Sequence, residues 1–240
     1  MSTHHYHQLQ DYFRDLIEQK TLPSGSKLPS EREIGEQFKL TRVTVRQALQ
    51  NLEAEGLIYR QNRKGWFVTP PAVVYNPSSH LSFNLYVTEQ GFVPHTEKLM
   101  QQIEPANAQI AQLMNIPINT PVLYLHRRRY INQRPVLIEK MYINHALLPG
   151  IEDEDLTQSL SQLLKNTFQR EYRDMDLAFK ATSLPSSAAK DLGISAGQPG
   201  LHIERINYIN GRDTEDKQVL EIDYEFWRHD AVTINIAVRD

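Results

Sequence analysis

The sequence predicts an α+β protein of two units: a small helical head closed by a β-hairpin, and a larger body built mainly of antiparallel strands. Three observations predict it. Helical apolar periods fill residues 4–55 and give way, from residue 57, to two short β-rich runs. TPPAVVYNPSSH, residues 69–80, holds three prolines and two serines and reads as a linker. Beyond it, VLYLHRRRYINQRPVLIEKMYIN, residues 122–144, alternates on both sides of a central turn. The expected division is a head at 1–70, a linker at 71–80 and a body at 81–240, and 240 residues suit about two domains.

The elements of the head follow in order. Residues 4–20 place Tyr6, Leu9, Tyr12 or Phe13, and Leu16–Ile17 at a helical period with one apolar face. His4, His5 and His7 cluster at its start, where a solvated helix end suits them better than a metal. LPSGSK is a turn. Ser30 followed by Glu31, Arg32 and Glu33 is a capping-box pattern opening a second helix that runs to about Phe38. Thr41 can cap a third, with Val45, Leu49 and Leu52 facing inward and Gly56 placed to end it. LIYRQ and GWFVT are then two strands joined at NRK. Three helices and a hairpin of this kind make a winged helix-turn-helix.

Composition excludes several classes. The chain has no cysteine, hence no disulfide and no thiolate metal site. Its apolar runs fall far short of the ~20 residues that cross a bilayer, and MSTHHYHQLQ lacks the apolar core of a secretory signal. A cytoplasmic protein with no membrane partner is the expectation. The net charge of −3 is uneven: residues 1–70 carry 10 Lys+Arg against 8 Asp+Glu, residues 71–240 carry 16 against 21, and residues 27–64 carry 8 against 5. A basic head on an acidic body suits a polyanion-binding module joined to something else.

In LTRVTVRQALQNLEAEGLI, residues 40–58, Arg42 and Arg46 stand four apart and share a helix face, with Thr44 beside them. With Val45, Leu49 and Leu52 inward, these side chains point outward from the first turns of the third helix. Arginine can bond guanine O6 and N7 or a phosphate, and threonine a phosphate or a thymine methyl. A helix pairing its arginines with Glu53, Glu55 or water is the plainer alternative. The capped preceding helix and the basic hairpin tip favour DNA.

KLPSEREIGEQFKLTRVTVRQALQNLEAEGLIYRQNRKGWFV, residues 27–68, resembles the GntR family of bacterial transcription regulators: LPSER, a TxxTxRxAL block, EGLI and a glycine-bearing wing. The resemblance implies DNA contacts from Arg32, Arg42, Thr44 and Arg46, with Gly65 at the wing tip. Arg63 stands where the first of two wing glycines is usual, and a cation there can enter a narrow minor groove.

The body resembles the effector domain of the HutC branch, whose fold is similar to chorismate lyase, through HLSFNLYVTEQGFVP, LYLHRRRYINQRPVLIEKMYIN and VLEIDYEFW. Read from residues alone, Leu123, Leu125, Arg127 and Arg129 share one strand face, and Glu139 shares a face with Leu137, Met141 and Ile143. Charges on such faces are costly unless paired or given to a ligand. A cross-strand ion pair between Arg129 and Glu139 accounts for the pattern as well as a ligand does. The resemblance implies that Arg127 and Arg129 hold an anionic group of an effector, with further contacts from Asn84, Glu139, Ser159 and Glu221. Ser159 also fits a helix cap in LTQSLSQLLKNTF. Trp227 matches an aromatic that closes the pocket or fits the core, and Tyr142 stays open between the same roles.

Two arginines with two glutamates nearby describe a pocket for a zwitterion, its anion on the arginines and an ammonium at Glu139 or Glu221. GWFVTP, residues 65–70, and FWRHD, residues 226–230, are similar to regulators of 2-aminoethylphosphonate use. A phosphorylated amino sugar fits the same charges. The implied function is a DNA-binding regulator, a repressor in the first instance, dimeric, with no cofactor and no metal. The alternative is an enzyme of lyase-like fold, against which stand the attached head and the lack of a Ser–His–Asp order, phosphate-binding glycine loop or HExxH motif. His229 in FWRHD reads as structural.

Overall fold

The structure, a computed structural model, describes residues 2–61, 63–79, 81–210 and 216–236, and of residues 2–5 and 79 the backbone alone. The side chains of His4 and His5 therefore lie outside the described residues. The head comprises α1 (Ser2–Glu18), α2 (Glu31–Phe38), α3 (Arg42–Ala54) and a hairpin of β1 (Ile58–Gln61) with β2 (Gly65–Val68). The caps are local chemistry. Ser30 accepts from the Glu33 amide, and the Glu33 carboxylate returns to the Ser30 amide at 2.7 Å, so each satisfies a helix-end donor. Thr41 accepts from the Thr44 amide at 3.2 Å. Gly56, at φ +80°, takes the left-handed turn that ends α3. The core joins Leu9, Phe13, Ile34, Val45, Leu49, Leu52, Ile58, Trp66 and Val68. Phe13 is the inward aromatic of α1, while Tyr12 is exposed.

The body is one six-stranded antiparallel sheet in the order β4 (Pro94–Pro105), β5 (Pro121–Ile131), β6 (Arg134–Asn144), β9 (Lys217–Arg228), β8 (Pro199–Asn210), β7 (Asp174–Ser183). Asn132 and Gln133 join β5 to β6 with φ of +50° and +66°. Two successive left-handed residues twist a tight hairpin in the strands' own sense. One sheet face carries α5 (Ala108–Met114) and α7 (Ser186–Leu192). The other carries α4 (Phe83–Glu89) at one end and α6 (Leu160–Asn166) at the other, each over its own apolar cluster.

Residues 71–80 hold more than a connector. Val73–Tyr75 forms β3, which pairs in parallel with β10 (Val232–Ile234), and Val73 and Tyr75 are buried in the cluster under α4. Gly200 on β8 is a point of close approach: a β-carbon there would sit 2.8 Å from the Trp227 carbonyl oxygen and inside the side chain of Leu184.

Candidate functional site

On the head, α3 presents a concave face of about 550 Å³ lined by Arg42, Val43, Arg46, Gln47 and Gln50. The side chains of Arg42 and Arg46 are 75% and 45% exposed, yet both are aimed by one carboxylate. Glu31, in the first turn of α2, accepts from Arg46 at 2.9 Å, from Arg42 at 3.4 Å and from the Trp66 indole at 3.3 Å. Burial works against the Glu31 charge, but the bonds from Arg46 and Trp66 hold its carboxyl below the usual range. Glu53 and Glu55, the alternative partners for these arginines, are engaged elsewhere, with the Arg60 amide and with Arg14. Arg32 is exposed 3.9 Å from Glu36. At the wing tip Arg63 takes φ +61° and Gly65 φ +111°, with the Gly65 backbone against Lys27.

In the body, strand alternation lays a charged seam between the two apolar clusters of one sheet face. Arg127 and Arg129 on β5 each donate from Nε to the same oxygen of Glu139 on β6, both at 2.8 Å. Arg127 also donates to the Leu156 and Gln158 carbonyls, so it fixes the loop that enters α6. Arg129 donates to Thr96 at 2.6 Å and lies 5.0 Å from the Phe83 ring on α4. Across the seam, Glu225 pairs in register with Glu139 and Asp223 with Met141. Arg205 on β8 binds Glu225 and the Tyr75 hydroxyl, and the Trp227 indole donates to Glu225 at 2.7 Å. Glu221 accepts from Tyr172 and from Asn207.

Electrostatics divides the seam. Burial alone would raise the Glu139 carboxyl, but Arg127 and then Arg129 bring it down to about 2. Burial dominates at Glu221 and Asp223 and pushes both carboxyls up. The β5 end therefore holds two guanidinium groups on one firm carboxylate, and the β9 end holds acids that resist ionisation.

The six body residues singled out in the sequence are not all brought into contact. Arg127, Arg129 and Glu139 are in direct contact. Asn84 is on α4, its Oδ1 buried without a hydrogen-bond partner. Ser159 caps α6, accepting from the Gln162 amide, and follows the loop held by Arg127. Tyr142 is on the opposite face, its ring tilted 47° to that of Tyr124 at 5.2 Å between centroids. Trp227 is buried beside Phe83. The sequence reading passed over Glu31, Thr96, Arg205, Asp223 and Glu225. The last two had a signal: Glu221, Asp223, Glu225 and Trp227 fall at a period of two within one strand.

Residues 5–68 match the family described as bacterial regulatory proteins, gntR family, and residues 89–233 match the UTRA domain. The chain belongs to the GntR family of transcriptional regulators, in its UTRA-bearing, HutC-like class. The HTH-type regulator YihL of Escherichia coli K12 is 36% identical over 215 residues, 88% of each chain. The HTH-type transcriptional repressor NagR of Bacillus subtilis is 29% identical over 209 residues, 85% of this chain and 84% of that one. The crystal structure of PhnF from Mycobacterium smegmatis shares the fold at a TM-score of 0.66 and 22% identity, covering 96% of this chain and 99% of its own.

In this regulator the DNA-binding head and the effector-binding UTRA domain meet over a small polar junction. Tyr59 of β1 lies against Arg134, at 4.1 Å from guanidinium to ring centroid, and Arg228, at 5.9 Å. Both arginines bind the buried Asp230. Glu53 of α3 accepts from Gln198 at 3.4 Å. Burial and then Arg228 pull the Arg134 guanidinium down to about 10. His229 is structural here, with its Nδ1 3.2 Å from the Pro199 carbonyl and its ring against Gly56. Among the described residues no helix is long and apolar enough to cross a membrane.

Proposed function

We propose that this regulator is a dimeric, cytoplasmic repressor whose operator affinity is set by a small anionic or zwitterionic metabolite held in the seam of its UTRA domain. The observation that carries the reading is the convergence of Arg127 and Arg129 on Glu139, at the cationic end of a buried seam that is acidic at its other end. A phosphonate or phosphate would share the two guanidinium groups with Glu139, taking charge-assisted bonds in place of part of that pairing. Asn84 follows Phe83, whose ring meets Arg129, and Ser159 follows Gln158, whose carbonyl accepts from Arg127. In the head, Arg42, Thr44 and Arg46 read the operator, while Arg32, Arg63 and the Gly65 turn hold the phosphate backbone and adjoining groove.

Regulation is a population shift. The ligand binds one arrangement of head and body better than another and changes operator affinity by that difference. Two copies would present two α3 helices to half-sites about one helical turn apart or closer. The protein acts by binding and turns nothing over. 2-Aminoethylphosphonate is the first ligand to try, and glucosamine 6-phosphate carries the same charges on a larger frame.

Calorimetric titration of both compounds into wild type and Arg127→Ala tests the site, with operator mobility shift as a second readout. Wild type should bind one of them and release or alter operator binding, and Arg127→Ala should lose the ligand but keep the operator. Normal ligand binding by Arg127→Ala would place the pocket elsewhere. Turnover of either compound by the purified protein would replace the regulator reading of the body with an enzymatic one.

A further inference from the structure

Glu139, Asp223 and Glu225 are all buried, and each has a carboxylate oxygen within 4.8 Å of the other two. Two of the three already bind guanidinium groups. Glu139 takes Arg127 and Arg129, and Glu225 takes Arg205 on one oxygen and the Trp227 indole on the other. Asp223 differs. It is 2% exposed, yet its Oδ1 has no hydrogen-bond partner. Register places it between Arg205 on β8 and Met141 on β6, at the centre of the seam and one strand beyond the β6 carboxylate that the arginines hold. An unpartnered buried acceptor is expensive to keep, and a native fold keeps one where something else completes it.

We propose that Asp223, flanked by Glu225 and Glu139, seats a cationic amine of the effector, so that the metabolite sensed is a zwitterion with its anion toward β5 and its ammonium toward β9. This rests on the reading of the UTRA seam as the effector site and narrows the ligand class. Glu139 and Glu221, the acids singled out in the sequence for such an amine, already have partners. A divalent metal is a poorer occupant, because it asks for six or more oxygen ligands and two of these three carboxylates are bonded to guanidinium groups. An ammonium brings several N–H donors into a small space and matches the unpartnered Asp223 oxygen.

The seat has its own proton chemistry. Asp223 faces Glu139 from β6, Arg205 from β8, Tyr75 from β3, and Glu221 and Glu225 on its own strand. Burial first, then Glu225 and Glu139, push its carboxyl well above the ordinary range, so the empty seat favours the neutral acid over a lone carboxylate. On meeting R–NH3+ it becomes the carboxylate of an ion pair, and the carboxyl proton leaves to solvent. Binding of the amine at Asp223 therefore releases protons beyond those that the phosphonate or phosphate group itself gives up.

The experiment titrates two matched pairs, 2-aminoethylphosphonate against ethylphosphonate and glucosamine 6-phosphate against glucose 6-phosphate, into the full-length protein in two buffers of different ionisation enthalpy. Wild type should prefer the amine of one pair by about tenfold or more, with protons released beyond those that the anionic group gives up. Asp223→Asn, which keeps the shape of the neutral acid, should bind both members of that pair alike and release fewer protons with the amine than wild type does. Equal binding of both members by wild type, which needs no variant to measure, overturns the cation seat while leaving the anion site standing. A preference that survives in folded Asp223→Asn also overturns it. If none of the four compounds binds wild type, the sensor reading fails and takes this inference with it.

Discussion

The guanidinium of Arg134, at the start of β6 in the body, lies 4.1 Å from the ring of Tyr59 on β1 of the head. Arg228 approaches the same ring, and both arginines are tied to Asp230 on the turn after β9. The junction is thus built on the strand that carries the acidic half of the seam: Glu225, Trp227 and Arg228 fall within four positions of one another. Glu225 thus stands three residues from the arginine that approaches Tyr59 of the head.

Tyr59→Ala should loosen the head without harming the body. A desolvated cation–π contact contributes up to about 2 kcal/mol, which is large against a junction of this size. Limited proteolysis within residues 69–80 should accelerate, while the urea midpoint of the isolated transition of the body stays in place. An unchanged cleavage rate would mean that Gln198, the His229 turn against Gly56 and the linker hold the two units together without Tyr59.

Arg46→Ala should weaken operator binding by about ten- to a hundredfold and flatten its salt dependence by about one ion. Glu31→Gln should weaken it less, because the carboxylate aims both Arg42 and Arg46 but touches no DNA itself. Fluorescence anisotropy across a salt series measures both, and the reverse order of effects would show that Glu31 is not what positions the pair.

Glu139 makes the body acid-sensitive in a defined window. Its folded value, near 2, lies below the ordinary 4.5, so the folded state holds the carboxylate more firmly than the unfolded chain does. The stability this contributes is complete above about 4.5 and drains away as pH falls toward 2. Glu139→Gln should cost about 3–5 kcal/mol at neutral pH, since it leaves two buried guanidinium groups unpaired, and should flatten the pH dependence between those limits. Denaturant titrations from pH 2.5 to 7 compare the two, and parallel curves would contradict the assignment.

Gly200→Ala should destabilise the body by about 1–3 kcal/mol through overpacking against Leu184 and the Trp227 carbonyl. Its backbone angle is ordinary, so the loss there is crowding, whereas at Gly150, where φ is +88° and nothing lies within 4 Å of the added carbon, alanine meets only the strain of the left-handed backbone. Thermal midpoints of the two alanine variants separate crowding from conformational strain at these positions.

The head was legible because its signals are local. Ser30 with Glu33, Thr41 with Thr44, and Gly56 act within a few residues of one another, and α2, α3 and both wing strands fall where those signals put them. The β5–β6 hairpin was legible for the same reason, with alternation and the Asn132–Gln133 turn setting its register. The rest depends on residues far apart in the chain. Glu31 finds Arg46 across two helices, Arg205 meets Glu225 across a strand pair, and Thr96 reaches Arg129 from β4. Pairings of that kind are decided by strand order, and 4-5-6-9-8-7 could not be read from periodicity. The segment 71–80 hid its strand because prolines flank it and its partner lies at 232–234.

That partnership sets an order of assembly. β3 is made early, just behind the head, whereas β10 leaves the ribosome only after every strand of the main sheet. The three-helix head has its own buried core and can close while the body is still being synthesised. Until residues 232–234 arrive, the tether behind it has nothing to pair with, and the Arg228–Asp230 clasp that steadies Tyr59 does not exist. A nascent regulator therefore passes through a stage in which its DNA-reading part is finished and unrestrained, until the pairing of residues 232–234 with the tether brings it under the body's control.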